Sequence, residues 1–185
     1  MSSAIRRHSF DELTPRLQGQ LRARVERLGY LGEFFQCTAC QPGILAPFME
    51  MTEALKKALP DKLTETGALT VAGLMQNRYE RHQHERLSIK LGFSKEWVAA
   101  VEALSPDKAT LLSSEERAVQ KLVIAMVERK GRDVQTELAS VIALIGPDQA
   151  VAVMFLVGRY ITHALLVNGI GLEPPVPSIF ESNDK

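Results

Sequence analysis

Cysteine, net charge and long apolar runs are all scarce in this chain, and each shortage closes off a class of function. Two cysteines in 185 residues cannot build the disulfide framework of a small secreted domain. The 22 basic side chains are matched by 22 acidic ones, which leaves no surplus charge to attract nucleic acid or an anionic membrane. No uninterrupted apolar run reaches the length of about 18 residues expected of a membrane span. The opening stretch MSSAIRRHSFDEL lacks the apolar segment of a secretory leader, so a cytoplasmic protein is expected. No repeat and no low-complexity block interrupts the chain. What is present is ordinary for a folded domain, with 45% hydrophobic and 24% charged residues.

The pattern is helical from end to end, and the fold class expected is all-α. Proline and glycine fall at helical intervals, and no stretch sustains strand-like alternation. Ser9 with Glu12 three residues on forms a capping-box signal, which predicts a helix running to about Leu28. Short helical residues 33–40 precede Pro42, a residue suited to a first helical turn. Ile44, Leu45, Phe48, Met49, Leu55 and Leu59 then recur at helical spacing up to Pro60. Helices are expected over residues 65–75 and 77–91, and another begins after Ser94. A polar connector over 105–114 ends in a Ser-Ser-Glu-Glu cap signal. Two further helices, 115–130 and 134–144, lead to Gly146-Pro147-Asp148 and a strongly apolar helix over 149–167, expected to be buried on most sides.

The segment NRYERHQHERLSIKL, residues 77–91, departs from the usual amphipathic pattern. Leu87 and Leu91 share a face, and stepping back from Leu87 by threes and fours lands on His84, Glu80 and Asn77. The stripe that should meet the core thus becomes ionisable in its first two turns. Burying such groups demands partners or a shifted pKa, an expense found most often at a functional cleft; the alternative is an exposed i,i+4 Glu80–His84 pair. Glu65 opens the mostly apolar face of the preceding helix, which also carries Ala68, Leu69 and Ala72, so it could reach Glu80 or His84 if the helices fold back.

Together these residues resemble the carboxymuconolactone decarboxylase family, which includes the alkylhydroperoxidase D (AhpD)-like enzymes. The family motif places a glutamate twelve residues before a position that is cysteine in its peroxidase branch. A second cysteine, or a glutamate in the decarboxylase branch, follows three residues later, and a histidine four beyond that. Here the positions read Glu65, Asn77, Glu80 and His84. The likeness spans residues 33–175, from the proline-led segment at Pro42 to the Asn168-Gly-Ile-Gly ending. It implies an AhpD-like oligomeric helix bundle, a homotrimer or homohexamer, with residues 1–30 as an N-terminal helical arm, 31–175 as the domain and 176–185 as a C-terminal tail. It also implies a catalytic Glu80 and His84 tuned by Glu65, with Asn77 as a substrate contact and no cofactor or metal. The substrate implied is a small carboxylic acid or lactone of aromatic catabolism. Asn77 and Glu80 stand where the peroxidase branch has its thiols, so thiol peroxidase chemistry at that site is excluded. Arg81 also departs from the aromatic residue that often follows the central glutamate in the decarboxylase branch.

Other groups leave alternatives open. Cys37-Thr-Ala-Cys40 could be a relocated redox pair, although it lies outside the family's thiol position and otherwise reads as small helix residues. His82 and His84 point about 200° apart on a helix and cannot share a metal. Tyr160 and His163 sit in the apolar C-terminal helix, and His163 becomes a substrate contact if that helix lines the cleft. The arginine-rich residues 21–27 read as a solvated helix face. A non-catalytic ligand-binding oligomer of the same fold is a further reading.

Overall fold

The protein is described here from a computed structural model covering residues 4–181. Among these residues there are eight α-helices and one short 3-10 turn, and no strand. The Ser9–Glu12 capping box is present, but it closes only the 3-10 turn Phe10–Glu12. Thr14 then caps a separate helix α1, Pro15–Leu28, with Pro15 at its first position. The single helix expected from Ser9 is thus split at a proline whose missing N–H suits only a helix start. Helix α2 (Glu33–Thr38) and helix α3 (Pro42–Ala58) follow, and then helix α4 (Asp61–Leu74) and helix α5 (Arg78–Lys90) form a hairpin. Helix α6 (Lys95–Glu102) and helix α7 (Ser114–Glu128) complete the middle of the chain. The cap signal expected in Ser-Ser-Glu-Glu is a capping box on α7, formed by Ser113 and Glu116.

Helix α8 runs over Gln135–Ile170, with non-helical geometry at Gly146 (φ 81°, ψ 164°) just before Pro147. The two helices expected on either side of this point are thus two arms of one bent element. Glycine is required there because the positive φ would strain any L side chain. This element is long and apolar enough, by length and composition, to cross a membrane, although Arg159 interrupts its apolar run. Only about a third of its most apolar window is buried, so it is less enclosed than its composition suggests.

Helix α4 is the axis of the fold. Every residue from Leu63 to Ala72 is buried, between α5, α7 and α8. Gly67 permits that closeness, since a Cβ there would lie 2.5 Å from Leu156 Cδ2 of α8. One apolar cluster joins α3, α4, α7 and α8 through residues such as Leu55, Val71, Val123 and Leu156. A second gathers Leu17, Leu21, Phe34, Phe35 and Met49 beneath α1, and a third surrounds Trp97. Some buried polar groups in this frame are tied down, although Gln120 Oε1 has no hydrogen-bond partner among the described residues. Gln120 donates to Thr70 Oγ1 and Val101 O, and the Trp97 indole donates to Glu116.

The ends of the described chain are attached rather than loose. His8 N bonds Gln36 O, and α1 is tied to α3 through Arg16 and Gln20 to Glu50. At the other end, Ser178 Oγ and Ile179 N both donate to Glu85, while Arg86 Nε donates to Pro177 O. The arm expected over 1–30 and the tail expected over 176–185 lie partly outside the described residues.

Candidate functional site

The α4–α5 hairpin brings Glu65 onto His84. The turn is tight, with Gln76 at φ 52° and Asn77 capping α5 by accepting a hydrogen bond from Glu80 N (3.2 Å). That cap orients the first turn of α5, so Asn77 lies directly beneath Glu80 and is itself buried. Its side-chain oxygen is committed to the backbone.

Within this frame His84 Nδ1 lies 2.8 Å from Glu65 Oε2, and its Nε2 lies 3.1 Å from the Tyr160 hydroxyl and 3.5 Å from Glu80 Oε2. Ser88 Oγ, one turn on, also donates to Glu65. Glu80 continues the network into α8, with Arg159 Nη1 at 3.3 Å and His163 Nε2 at 3.4 Å. Arg159 in turn donates from Nε to Thr52 on α3 (3.2 Å) and lies over the rings of Phe48 and Tyr160. His163 stacks on Phe34 of α2, with centroids 4.0 Å apart. Its Nδ1 is buried and has no hydrogen-bond partner among the described residues.

The side chains of Glu65, Glu80 and His84 keep only 4%, 9% and 11% of their surface exposed. The expectation that α5 turns ionisable groups inward therefore holds, but the stripe extends further than the leucines suggest. Tyr79, His82, Glu85 and Ser88 are buried, whereas Leu91 is 37% exposed. Helix α5 packs against α4, α6 and residues 176–179, and several of its polar groups find partners there, while His82 Nε2 has none among the described residues. His82 Nδ1, for example, contacts Val176 O at 3.0 Å.

Burial and neighbouring charge set the protonation states. Burial works against a charge on His84, but the Glu65 carboxylate, Tyr160 and the bond to Glu65 override it and hold the imidazole well above its ordinary pKa. For Glu80 burial likewise opposes ionisation. The surrounding His163, His84 and Arg159 nonetheless hold its carboxyl well below the ordinary range. His163 is pushed down to about 3 by burial, with Glu80 opposing the shift. It is therefore neutral near neutral pH, and the charges that keep Glu80 ionised there are those of Arg159 and His84. Tyr160 is raised by burial and stays protonated. The arrangement is thus a protonated imidazole between two carboxylates, with a neutral phenol at one ring nitrogen. It can deliver a proton and take it back.

The sequence reading missed Arg159, Thr52, Phe34 and Ser88, and gave Tyr160 no role beyond its place in the apolar C-terminal helix. Tyr160 and Arg159 could have been found, since a charged residue inside an apolar helix is a signal like the one followed in α5. Cys37 and Cys40 lie elsewhere, at the end of α2. Cys37 is buried, and Cys40 is exposed with its Sγ 3.5 Å from His8 Nε2. Two surface cavities, of about 280 and 160 Å³, are also lined by other residues. The larger one is bounded by Arg78, His82 and the 173–177 stretch.

No family model matches the chain, and no curated protein matches its sequence. Solved structures do match its shape. A single-substitution variant of the debrominase Bmp8, in complex with 2,3,4-tribromopyrrole, superposes with a TM-score of 0.80 at 11% identity, over 94% of this chain and 92% of that one. The unliganded Bmp8 structure gives the same TM-score of 0.80, identity of 11% and coverage. A protein of unknown function from Agrobacterium tumefaciens, described as a putative antioxidant defence protein AhpD, matches with a TM-score of 0.66 at 15% identity, over 76% of this chain and 96% of that one. The topology built up above from α1 to α8 is therefore the AhpD-like all-helical fold, as the motif around Glu65, Glu80 and His84 led one to expect.

Proposed function

We propose that the protein is an acid–base enzyme of the carboxymuconolactone decarboxylase type, acting on a small carboxylated lactone or a related carboxylic acid. The observation that carries this reading is the enclosure of His84 between Glu65, Glu80 and Tyr160. A buried histidine held protonated is a ready general acid. In the reaction, the bond to the leaving carboxylate breaks, carbon dioxide departs, and the electron pair moves into the conjugated lactone. His84 then supplies the proton that carbon takes up, Glu65 holds the imidazole in position, and Glu80 stabilises its charge. Nδ1 of His163, which has no partner among the described residues, and the side-chain amide nitrogen of Asn77 are the substrate contacts in this reading. The assembly is a homo-oligomer in the cytoplasm, and no cofactor takes part.

The test is release of carbon dioxide from γ-lactone carboxylic acids by the purified protein. His84→Gln should lower the rate by about 10²–10⁴-fold, the usual contribution of a positioned acid, while the far-ultraviolet dichroism is unchanged. A His84→Gln protein with full activity would remove the histidine from the mechanism. A second reading, thiol redox chemistry at Cys37 and Cys40, is favoured by the contact between Cys40 and His8. Mass spectrometry after mild peroxide treatment checks it, and two unmodified thiols would exclude it.

A further inference from the structure

Both ring nitrogens of His84 are already directed at protein oxygens. A protonated imidazole is a donor at each nitrogen. Nδ1 meets Glu65 Oε2 at 2.8 Å, and Nε2 meets the Tyr160 hydroxyl at 3.1 Å with Glu80 Oε2 further off at 3.5 Å. Ser88 Oγ donates to Glu65 and so belongs to the Nδ1 side. A proton that leaves Nε2 therefore passes to the Glu80 carboxylate or to the phenol oxygen of Tyr160.

Glu80 is the poorer carrier. Its Oε2 also accepts from Arg159 Nη1, and its Oε1 faces His163 Nε2 at 3.4 Å, so both oxygens are engaged by neighbours that favour the ionised form. A phenol can accept at its oxygen and donate its own hydrogen at the same time. Because Nε2 carries a hydrogen, the Tyr160 oxygen is the acceptor in the 3.1 Å contact, and its O–H points away from the imidazole. The ring is fixed in that position. It lies edge-on to His84, with centroids 5.2 Å apart, and the Arg159 guanidinium carbon sits 4.3 Å from its centre. An imidazolium and a guanidinium thus flank the phenol, and both ease the charge left on its oxygen as its proton departs.

We infer that Tyr160 is the catalytic residue that hands the proton to the substrate, with His84 refilling it, a relay that rests on the acid–base reading above and deepens it. The carbon left electron-rich by loss of carbon dioxide forms a bond to the phenolic hydrogen. The O–H electron pair stays on the Tyr160 oxygen, which takes the hydrogen from His84 Nε2. The imidazole is left neutral and regains its proton from water. One proton moves along each link, and no oxidant or reductant is needed.

The test uses the full chain and Tyr160→Phe, which keeps the ring against His84 and Arg159 and removes only the hydroxyl. Nitrogen-15 NMR of the histidine rings, with His84 assigned by its loss in His84→Gln, follows the charge on His84 from pH 5 to 10 without any substrate. In Tyr160→Phe the His84 midpoint should fall, because the imidazolium loses an acceptor. A midpoint that rises would show that Tyr160 donates to a neutral imidazole, and one that does not move would show no coupling; either result overturns the relay. With a γ-lactone carboxylic acid that releases carbon dioxide, Tyr160→Phe should lower kcat by about 10²–10⁴-fold with KM little changed. The double variant should be no slower than His84→Gln alone, since both residues serve one step. Full activity in Tyr160→Phe beside an inactive His84→Gln would overturn Tyr160 and leave the acid–base reading standing. Absence of carbon dioxide release from the wild type would count against that reading, while the histidine titration still decides the relay.

Discussion

His84 and His163 lie one helix apart and meet opposite fates, and that contrast governs how the protein should respond to pH. The folded pKa of His163 is about 3, below its ordinary value of 6.5. As pH falls below 6.5 the unfolded chain takes up a proton that the folded chain refuses, so stability is lost between about pH 6.5 and 3. Glu80, whose carboxyl is held below its ordinary 4.5, acts in the same direction, because its contribution disappears as pH falls through its folded pKa. His84 acts the other way. Its folded pKa lies above 6.5, so its contribution is fully present below that pH and is lost as pH rises through the higher folded value. Melting temperature should therefore peak near pH 6–7 and decline on both sides. Each unit of pKa difference is worth about 1.4 kcal/mol, so the acid limb should be steep. Replacing His163 with phenylalanine, which cannot be protonated, should flatten that limb. Thermal melts of both proteins from pH 4 to 8 check this, and an unchanged acid limb in the variant would show that His163 is not the group responsible.

At the scale of helices, the decisive contact is α4 against α8, because α8 brings Tyr160, Arg159 and His163 to the residues of α5. Gly67 sets that distance. Substituting alanine gains about 1 kcal/mol of helix propensity but drives a Cβ to 2.5 Å from Leu156 Cδ2. Overpacking of this kind costs about 1–3 kcal/mol, and the buried Leu156 has little room to yield, so the net change is a loss. Gly67→Val has almost no propensity gain and two more carbons to place. It should lower the melting temperature by about 4–8 °C, using about 2–4 °C per kcal/mol for a chain of this size. Activity at low temperature should fall with it. A melting temperature within a degree of wild type would mean that α8 adapts freely. Much of this architecture was legible beforehand. Caps at Ser94 and Ser113 and prolines at 42 and 60 marked real helix boundaries, whereas spacing alone left Glu80 and His84 as either inward-facing or an exposed pair, and burial decides for the first. Spacing could not show which partners come from distant elements. Arg159 is 79 residues from Glu80, and its role depends on a helix crossing that local pattern does not encode. Ser9 misled for a related reason, since a capping box marks where a helix starts and carries no information on how far it runs.

For the molecule as a whole, one surface remains to be accounted for. The inner side of α8 carries the buried network, but its outer side presents Val151, Phe155 and Leu165 at 51%, 61% and 61% exposure, with Leu166 at 39%. These positions fall on one side of the second arm of α8, and scattered exposed apolar residues do not usually line up in this way. Two coverings fit a long apolar helix: a lipid bilayer or a second copy of the chain. A bilayer is the poorer fit, because α8 could enter it only by withdrawing Arg159 from Glu80 and Thr52, leaving charged groups without partners. A second copy can cover the outer side while the inner side stays packed, and a patch that meets its own copy across a two-fold axis closes into a symmetric assembly. The protein should therefore run as an oligomer in light scattering at micromolar concentration. Phe155→Glu should dissociate it, since a carboxylate placed at the centre of an apolar interface loses its water without gaining a partner. Helicity should be retained, because Phe155 contributes little to the core of its own chain. A monomeric wild type at high concentration would refute the assembly, and co-sedimentation of the wild type with neutral phosphatidylcholine vesicles would show that the face meets lipid instead.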